Sequence, residues 1–203
     1  MADNIKTAVV LFLITLISGV LLGGVYEVTK EPIAQANNAA LYAAYEELLP
    51  GSKDYTAEDA AVEKANAELP SQNYGKVSVD NIVKAVDESG NDMGYIVTAT
   101  SNEGYGGAIQ LTVGYKAGDD GKLVSTGISF LTINETAGLG MNAKNPEFKD
   151  QYAGKGIEPL TVTKSGNAGE TEINAMSGAT ITSTAVTNAV NAANYAVANC
   201  IAQ

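Results

Sequence analysis

The apolar residues at the beginning of the chain form one long uninterrupted run. TAVVLFLITLISGVLLGGVYEV, from Thr7 to Val28, has no charged residue before Glu27. Its length matches the ~20 residues that a helix needs to cross about 30 Å of hydrocarbon. A cleaved signal peptide is the alternative, but its apolar core would be shorter, and GGVYEVTKEP is a poor cleavage site. We therefore predict a transmembrane anchor within residues 1–30.

Helical spacing of apolar residues continues after this run. EPIAQANNAALYAAYEELL predicts a helix from Glu31 to Leu49 that has Pro32 in its first turn. The residues PGS end that helix, and an alanine-rich segment predicts a second helix from about Ala57 to Leu69. Together these helices predict a helical stalk region over residues 31–75.

From about residue 76 the pattern changes to that of strands. VSVDNIVKAVD and GYIVTAT flank the turn residues ESGND, and GAIQLTVGYK and LVSTGISFLTI flank AGDDG. These segments predict an antiparallel meander of at least four strands. For the segment Asn134–Lys164 we predict a loop with one short helix around Pro146–Tyr152. Apolar periodicity from Val186 to Ile201 predicts a C-terminal helix. The predicted fold is α+β, with a transmembrane helix, a helical stalk and an antiparallel-sheet domain over residues 76–203.

Composition excludes several classes of function. Lys and Arg number 12 against 23 Asp and Glu, and a net charge of -11 argues against a nucleic-acid partner. The absence of histidine removes the usual general base and the most common metal ligand, so we predict neither a catalytic residue nor a metal site. Cys200 is the only cysteine and cannot form an intrachain disulfide. We interpret it as a small apolar residue of the last helix.

One stretch is unusually rich in hydroxyl groups. SGATITSTAV, from Ser177 to Val186, carries five hydroxyl side chains where the last helix is predicted to begin. One interpretation is a helix N-cap, in which one of these hydroxyls accepts a hydrogen bond from a first-turn amide. A cap needs only one hydroxyl, and Gly178 and Ala179 leave room for a ligand close to the backbone. Helix starts of this kind bind anions, most often phosphate.

SGAT and the two residues after it resemble the flavin-attachment motif of the FMN-binding domain family. The G subunit of the Rnf complex and the C subunit of the sodium-pumping NADH:quinone reductase contain this domain. In that family the last threonine of the motif, Thr180 here, carries FMN through a phosphoester bond made by a separate flavin transferase. The resemblance therefore implies covalent FMN on Thr180.

Three other stretches resemble the family in the same order along the chain. NETAGLGMN (134–142) is similar to its Glu-Thr-Pro-Gly-Leu-Gly signature, FKDQYAGK (148–155) to the run that follows, and GYGG (104–107) to its glycine-rich loop. The chain departs from the family at Asn174, where an aspartate is usual, and at Ala137, where a proline is usual. The cofactor-binding residues implied are Tyr105, Gly106, Glu135, Thr136, Gly138, Leu139, Gly140, Ser177, Gly178, Ala179, Thr180, Ile181 and Thr182.

The resemblance also implies how these residues contribute. Leu139, Tyr105 and Met141 would cover the faces of the flavin ring, while Gly138 and Gly140 would let backbone amides approach it. Glu135 and Thr136 would fix the loop or contact the ring edge, and Ile181 and Thr182 extend the attachment motif. FMN itself would carry out the electron chemistry.

The function implied is electron transfer within a membrane complex. The chain would pass electrons between ferredoxin and NAD in an ion-translocating Rnf complex, next to its D subunit and together with its A, B, C and E subunits. It would be one redox component and not a complete enzyme, anchored once in the cytoplasmic membrane with its domain outside the cytoplasm. The alternatives are the C subunit of the quinone reductase and a non-redox extracytoplasmic binding or pilin-like module. A hydrolase using Ser177 is disfavoured because no histidine could activate it.

Overall fold

The computed structural model describes residues 2–201, without the side chains of residues 2–5, 7, 33 and 34. The chain divides into two compact units, Met1–Leu41 and Tyr42–Gln203. The predicted boundaries between anchor, stalk and FMN-binding domain, at residues 30 and 75, stay a prediction.

The first helix, α1, runs without interruption over 47 residues, Ala2–Leu48. A separate stalk helix beginning at Glu31 is therefore wrong, because Pro32 lies inside α1. A proline removes one helical hydrogen bond and crowds the preceding turn, but the alanines, leucines and glutamates that follow are strong helix formers and the helix continues. By length and composition α1 can cross a membrane, since it contains a segment of mean hydropathy 2.6 with no buried residue.

The second unit is built on a five-stranded antiparallel sheet in the order β1-β2-β3-β4-β5. The four predicted strands are confirmed as β2 to β5. The edge strand β1 was not predicted, because its four residues, DYTA, show no alternation of apolar and polar positions and depend on pairing with β2. The strands are β1 (Asp54–Ala57), β2 (Val77–Val86), β3 (Asp92–Gly104), β4 (Gly107–Ala117) and β5 (Leu123–Thr132).

Short elements connect the sheet to the last helix. The helix predicted at 57–69 is shorter than expected, and the helix predicted around residue 146 is found as one helical turn followed by a 3-10 turn at Asp150–Tyr152. The predicted loop also contains β6, which pairs in parallel with β7. These elements are α2 (Asp59–Glu68), α3 (Pro146–Lys149), β6 (Thr161–Thr163) and β7 (Glu172–Asn174), with further 3-10 turns at Leu69–Ser71 and Gly140–Lys144.

The C-terminal helix α4 (Thr180–Asn199) packs against the middle of the sheet. Its buried face is wider than the predicted apolar stripe, because Thr187, Asn191 and Asn194 are also buried and hydrogen-bonded. Asn194 accepts a hydrogen bond of 2.7 Å from the hydroxyl of Tyr115 on β4. Cys200 is buried at the end of the helix. These contacts fix α4, and hence its first residue, relative to the sheet.

Candidate functional site

Three segments of the chain meet at the N-terminal end of α4. They are the turn at Tyr105–Gly106 between β3 and β4, the loop that follows β5, and the first turn of the helix. Glu135 in the loop is 9% exposed and joins the other two. Its Oε1 accepts the backbone N–H of Gly106 at 3.1 Å, and its Oε2 accepts the hydroxyl of Thr182, also at 3.1 Å.

A cavity of about 520 Å³ lies between these segments. We call it the Thr180 cavity. Its apolar surface is provided by Tyr105, Leu139 and Ile181, which are 73%, 44% and 56% exposed although they are large apolar side chains. Such exposed apolar side chains around one cavity are typical of a ligand site. Most of the predicted cofactor-binding residues line it: Tyr105, Glu135, Thr136, Leu139, Gly140, Gly178, Ala179, Thr180, Ile181 and Thr182.

The other predicted residues lie nearby but outside this lining. The backbone amide of Gly106 donates a hydrogen bond to Oε1 of Glu135. Gly138 has a positive φ of 76°, and its carbonyl accepts a hydrogen bond from the side chain of Asn142. Met141, suggested as a cover for the ring, packs against the hydrophobic core. Ser177 lines a second cavity, described below.

Gly140 has a structural reason to lack a side chain. A Cβ at this position would lie 2.6 Å from both Oε2 of Glu135 and the hydroxyl oxygen of Thr182. Real Cβ atoms do not come this close, so a larger residue would separate these two groups. Gly140 therefore makes room for the hydrogen bond that connects the loop to the helix.

The N-cap interpretation of the hydroxyl groups is wrong. Ala179 occupies the N-cap position, and no side chain caps the helix. The Thr182 hydroxyl is used on Glu135, while Ser183 accepts the amide of Met176 and donates to the carbonyl of Ala179. The helix therefore begins without a side-chain acceptor for its first amides, and its N-terminal end carries a partial positive charge.

Thr180, the first residue of α4, lines two smaller cavities besides the Thr180 cavity. The Lys164 cavity, of about 330 Å³, is lined by Lys164, Gly166, Asn174, Ala175, Met176, Ser177, Gly178 and Thr180. The Glu103 cavity, of about 270 Å³, is lined by Glu103, Thr180, Ile181, Thr184 and Ala185. Sequence reasoning missed Lys164, which no motif marks, and Glu103, which directly precedes the GYGG stretch but is not part of it.

A larger cavity, of about 980 Å³, contains none of the predicted residues. Its charged side chains have mixed sign, and its Lys155 already donates to the carbonyl of Gly169 at 2.7 Å. None of the large exposed apolar side chains of the described residues lines it. Size alone does not make it a better candidate than the Thr180 cavity.

Comparison with known proteins identifies the family of this chain. Residues 104–194 match the FMN-binding domain family, and residues 3–48 match the RnfG N-terminal region. The G subunit of the Na(+)-translocating ferredoxin:NAD(+) oxidoreductase complex of Acetobacterium woodii is 34% identical, over 92% of this chain and 87% of that protein. The chain belongs to the RnfG family. The counterpart from the proton-translocating complex of Clostridium ljungdahlii is 33% identical, over 87% of this chain and 82% of that protein.

The fold of this RnfG-family chain also occurs in a solved structure. The C subunit of the Na(+)-translocating NADH-quinone reductase from Parabacteroides distasonis superposes with a TM-score of 0.54. The two share 20% identity, over 81% of this chain and 84% of the other. This likeness shows the fold and confirms the predicted α+β architecture. The FMN-binding domain match gives FMN as the cofactor.

The Thr180 cavity fits FMN chemically. The isoalloxazine ring is flat and largely apolar, and the exposed side chains of Tyr105, Leu139 and Ile181 offer it apolar surface. The phosphate is anionic, and the uncapped end of α4 offers it backbone amides. Both features lie within reach of one hydroxyl-bearing residue, Thr180, because that residue lines the cavity and begins the helix.

Proposed function

We propose that this chain is the FMN-carrying electron carrier of an ion-translocating ferredoxin:NAD(+) oxidoreductase complex, with FMN joined to Thr180 through a phosphoester. The observation that supports the attachment site is the position of Thr180. It is the first residue of a helix without a side-chain cap, and it lies at the edge of the cavity with apolar surface. Family membership supports the complex.

Each part of the site has a role in this proposal. The Thr180 hydroxyl forms the ester, and the amides of the first helical turn stabilise the phosphodiester. Tyr105, Leu139 and Ile181 cover the ring and exclude water from it. Glu135 fixes the positions of the loop and the turn through Thr182 and Gly106. FMN, when bound, supplies the electron transfer chemistry.

Esterification suits an acidic protein. A phosphate monoester carries a charge of roughly -1.5 to -2 at neutral pH, whereas a phosphodiester carries a single negative charge. In a chain with a net charge of -11 the diester reduces repulsion. A covalent bond also keeps the cofactor at a high effective concentration, so dilution cannot remove it.

The finer assignments of partner and location belong to the same proposal. We assign a flavin transferase as the maturation partner, and the D subunit as the nearest redox neighbour among the A, B, C, D and E subunits of the complex. The anchor is the apolar part of α1, and the FMN-binding domain lies on the extracytoplasmic side of the cell membrane. Asn174 keeps nearly the size and the hydrogen-bonding capacity of the usual aspartate, so the transferase accepts this chain.

Intact-mass analysis of the full chain tests the attachment. Co-expression with a flavin transferase should add the mass of FMN less one water, and Thr180→Val should abolish the addition. Thr184→Val is the matched control, because Thr184 is an exposed hydroxyl of the same helix end, and it should load fully. An adduct that persists in the Thr180 variant, or that maps to Thr182 or Ser183, would contradict the assignment.

A further inference from the structure

The pairing of β6 with β7 brings a lysine next to the helix start. Thr163 is the register partner of Asn174, and the amide of Ala175 donates to the carbonyl of Thr163 at 2.7 Å. Lys164 directly follows Thr163, while Ala175 begins the short segment that leads to Thr180. A three-residue parallel ladder thus positions Lys164 in the cavity that Thr180 shares with it.

The backbone after Lys164 is held by a local turn. The amide of Ser165 donates to Oγ1 of Thr163 at 3.2 Å, and the Ser165 hydroxyl donates to the carbonyl of Asn167 at 3.1 Å. Gly166 supplies the positive φ of 78° that the turn requires. Local hydrogen bonds therefore hold the backbone on both sides of Lys164, and the residue itself is exposed to solvent.

Lys164 and Asn174 stand out among the residues of the Lys164 cavity. Within residues 2–201, the Lys164 ammonium takes part in no ion pair. In that same part of the chain, Oδ1 of Asn174 is buried and accepts no hydrogen bond. Buried polar atoms are normally paired, so the unpaired acceptor of Asn174, in a cavity that Lys164 also lines, calls for an explanation.

The charged side chains that line the three cavities around Thr180 are arranged unequally. Glu135 lines the Thr180 cavity, and Glu103 lines the Glu103 cavity. Lys164 is positively charged and lines the Lys164 cavity, which neither Glu135 nor Glu103 lines. An anion attached to Thr180 is therefore repelled from two of the cavities and attracted to the third.

We propose that Lys164 is the counter-charge of the FMN phosphodiester on Thr180. Its ammonium group pairs with the phosphodiester on the Lys164 side and donates to Oδ1 of Asn174. The ring occupies the Thr180 cavity, where apolar surface is exposed. The cofactor thus extends to both sides of Thr180, with its charged end and its apolar end in different cavities. This inference rests on the proposed attachment of FMN to Thr180.

Chemical modification of the full chain gives a direct test. Wild-type chain made with and without a flavin transferase is treated with an amine-acetylating reagent, and acetylation at each lysine is followed by peptide mass spectrometry. Lys164 should react several-fold more slowly in the loaded chain. Lys116, an exposed lysine on β4, should react equally in both. Equal reactivity of Lys164 in the two forms would overturn the inference.

Phosphorus NMR of the loaded chain tests the charge itself. Lys164→Gln should move the phosphodiester resonance, Lys164→Arg should leave it near the wild-type position, and Lys116→Gln should leave it unchanged. A resonance that does not move in Lys164→Gln would overturn the pairing. Failure of the proposed function looks different, because the wild-type chain would then carry no FMN on Thr180 in the mass analysis.

Discussion

At the residue scale, the hydrogen bonds of Glu135 define the site more than any other contacts. The resemblance to the FMN-binding family pointed to Glu135, Thr182 and Gly106 as separate members of its motifs. It could not show that the three are hydrogen-bonded together, because Glu135 and Thr182 are 47 residues apart in the chain. For the same reason the sequence could not show why position 140 is a glycine. A side chain there would collide with the two groups that form the hydrogen bond between Glu135 and Thr182.

The hydroxyl of Thr182 should contribute measurably to stability. Thr182→Val keeps the shape of the side chain but leaves Oε2 of Glu135 without its donor in a site where that carboxylate is 9% exposed. A hydrogen bond to a charged group contributes about 1.5–3 kcal/mol, so the free energy of unfolding should fall by about that amount. Urea denaturation measures it. Thr182→Ser keeps a hydroxyl and should lose less, and an equal loss in both variants would mean that packing and not the hydrogen bond matters.

At the scale of elements, long segments with clear periodicity were predictable and short ones were not. The strands β2 to β5 and the helix α4 bury enough apolar side chains to leave a pattern in the sequence. The strands β1, β6 and β7 are three or four residues long, so their pairing is decided by the chain around them. The continuation of α1 through Pro32 was missed because a proline usually indicates a helix start or end.

The contact between the sheet and α4 includes one buried polar pair that can be tested. Burial raises the pKa of Tyr115 well above its ordinary value, so its hydroxyl stays protonated and donates to Asn194. Tyr115→Phe leaves the Asn194 oxygen unpaired, which should cost about 1–3 kcal/mol of unfolding free energy. Denaturant unfolding of the folded variant measures this cost. Tyr195→Phe, whose hydroxyl bonds to Glu68 at a less buried position, is the control and should cost less. Equal losses would contradict the argument.

At the scale of the whole molecule, the chain combines an anchor and a domain of different character. The chain divides into two compact units, Met1–Leu41 and Tyr42–Gln203, and α1 is long and apolar enough to cross a membrane. Flanking charge does not decide the orientation of the anchor, because Lys6 and Lys30 place one positive charge on each side of the apolar run. The proposed extracytoplasmic location of the domain therefore rests on the resemblance to the family.

Reporter fusions test the orientation of the domain. A reporter that matures only after export, fused behind Gln203, should be active, because the proposed topology places the FMN-binding domain outside the cytoplasm. A reporter that functions only in the cytoplasm, fused at the same place, is the control and should be inactive. The reverse pattern of activities would place the FMN-binding domain in the cytoplasm.

The small residues along α4 have a consequence for the proposed attachment of FMN to Thr180. Ala189, Ala192, Ala193 and Ala196 are fully buried in the hydrophobic core, so α4 is closely packed against the rest of the domain. A flavin esterified to the first residue of that helix is attached to a rigid support and not to a loop. Reduction or oxidation of the flavin then requires little movement of the surrounding protein atoms. In the proposed FMN-carrying chain we therefore expect α4 to contribute little to the reorganisation energy of electron transfer.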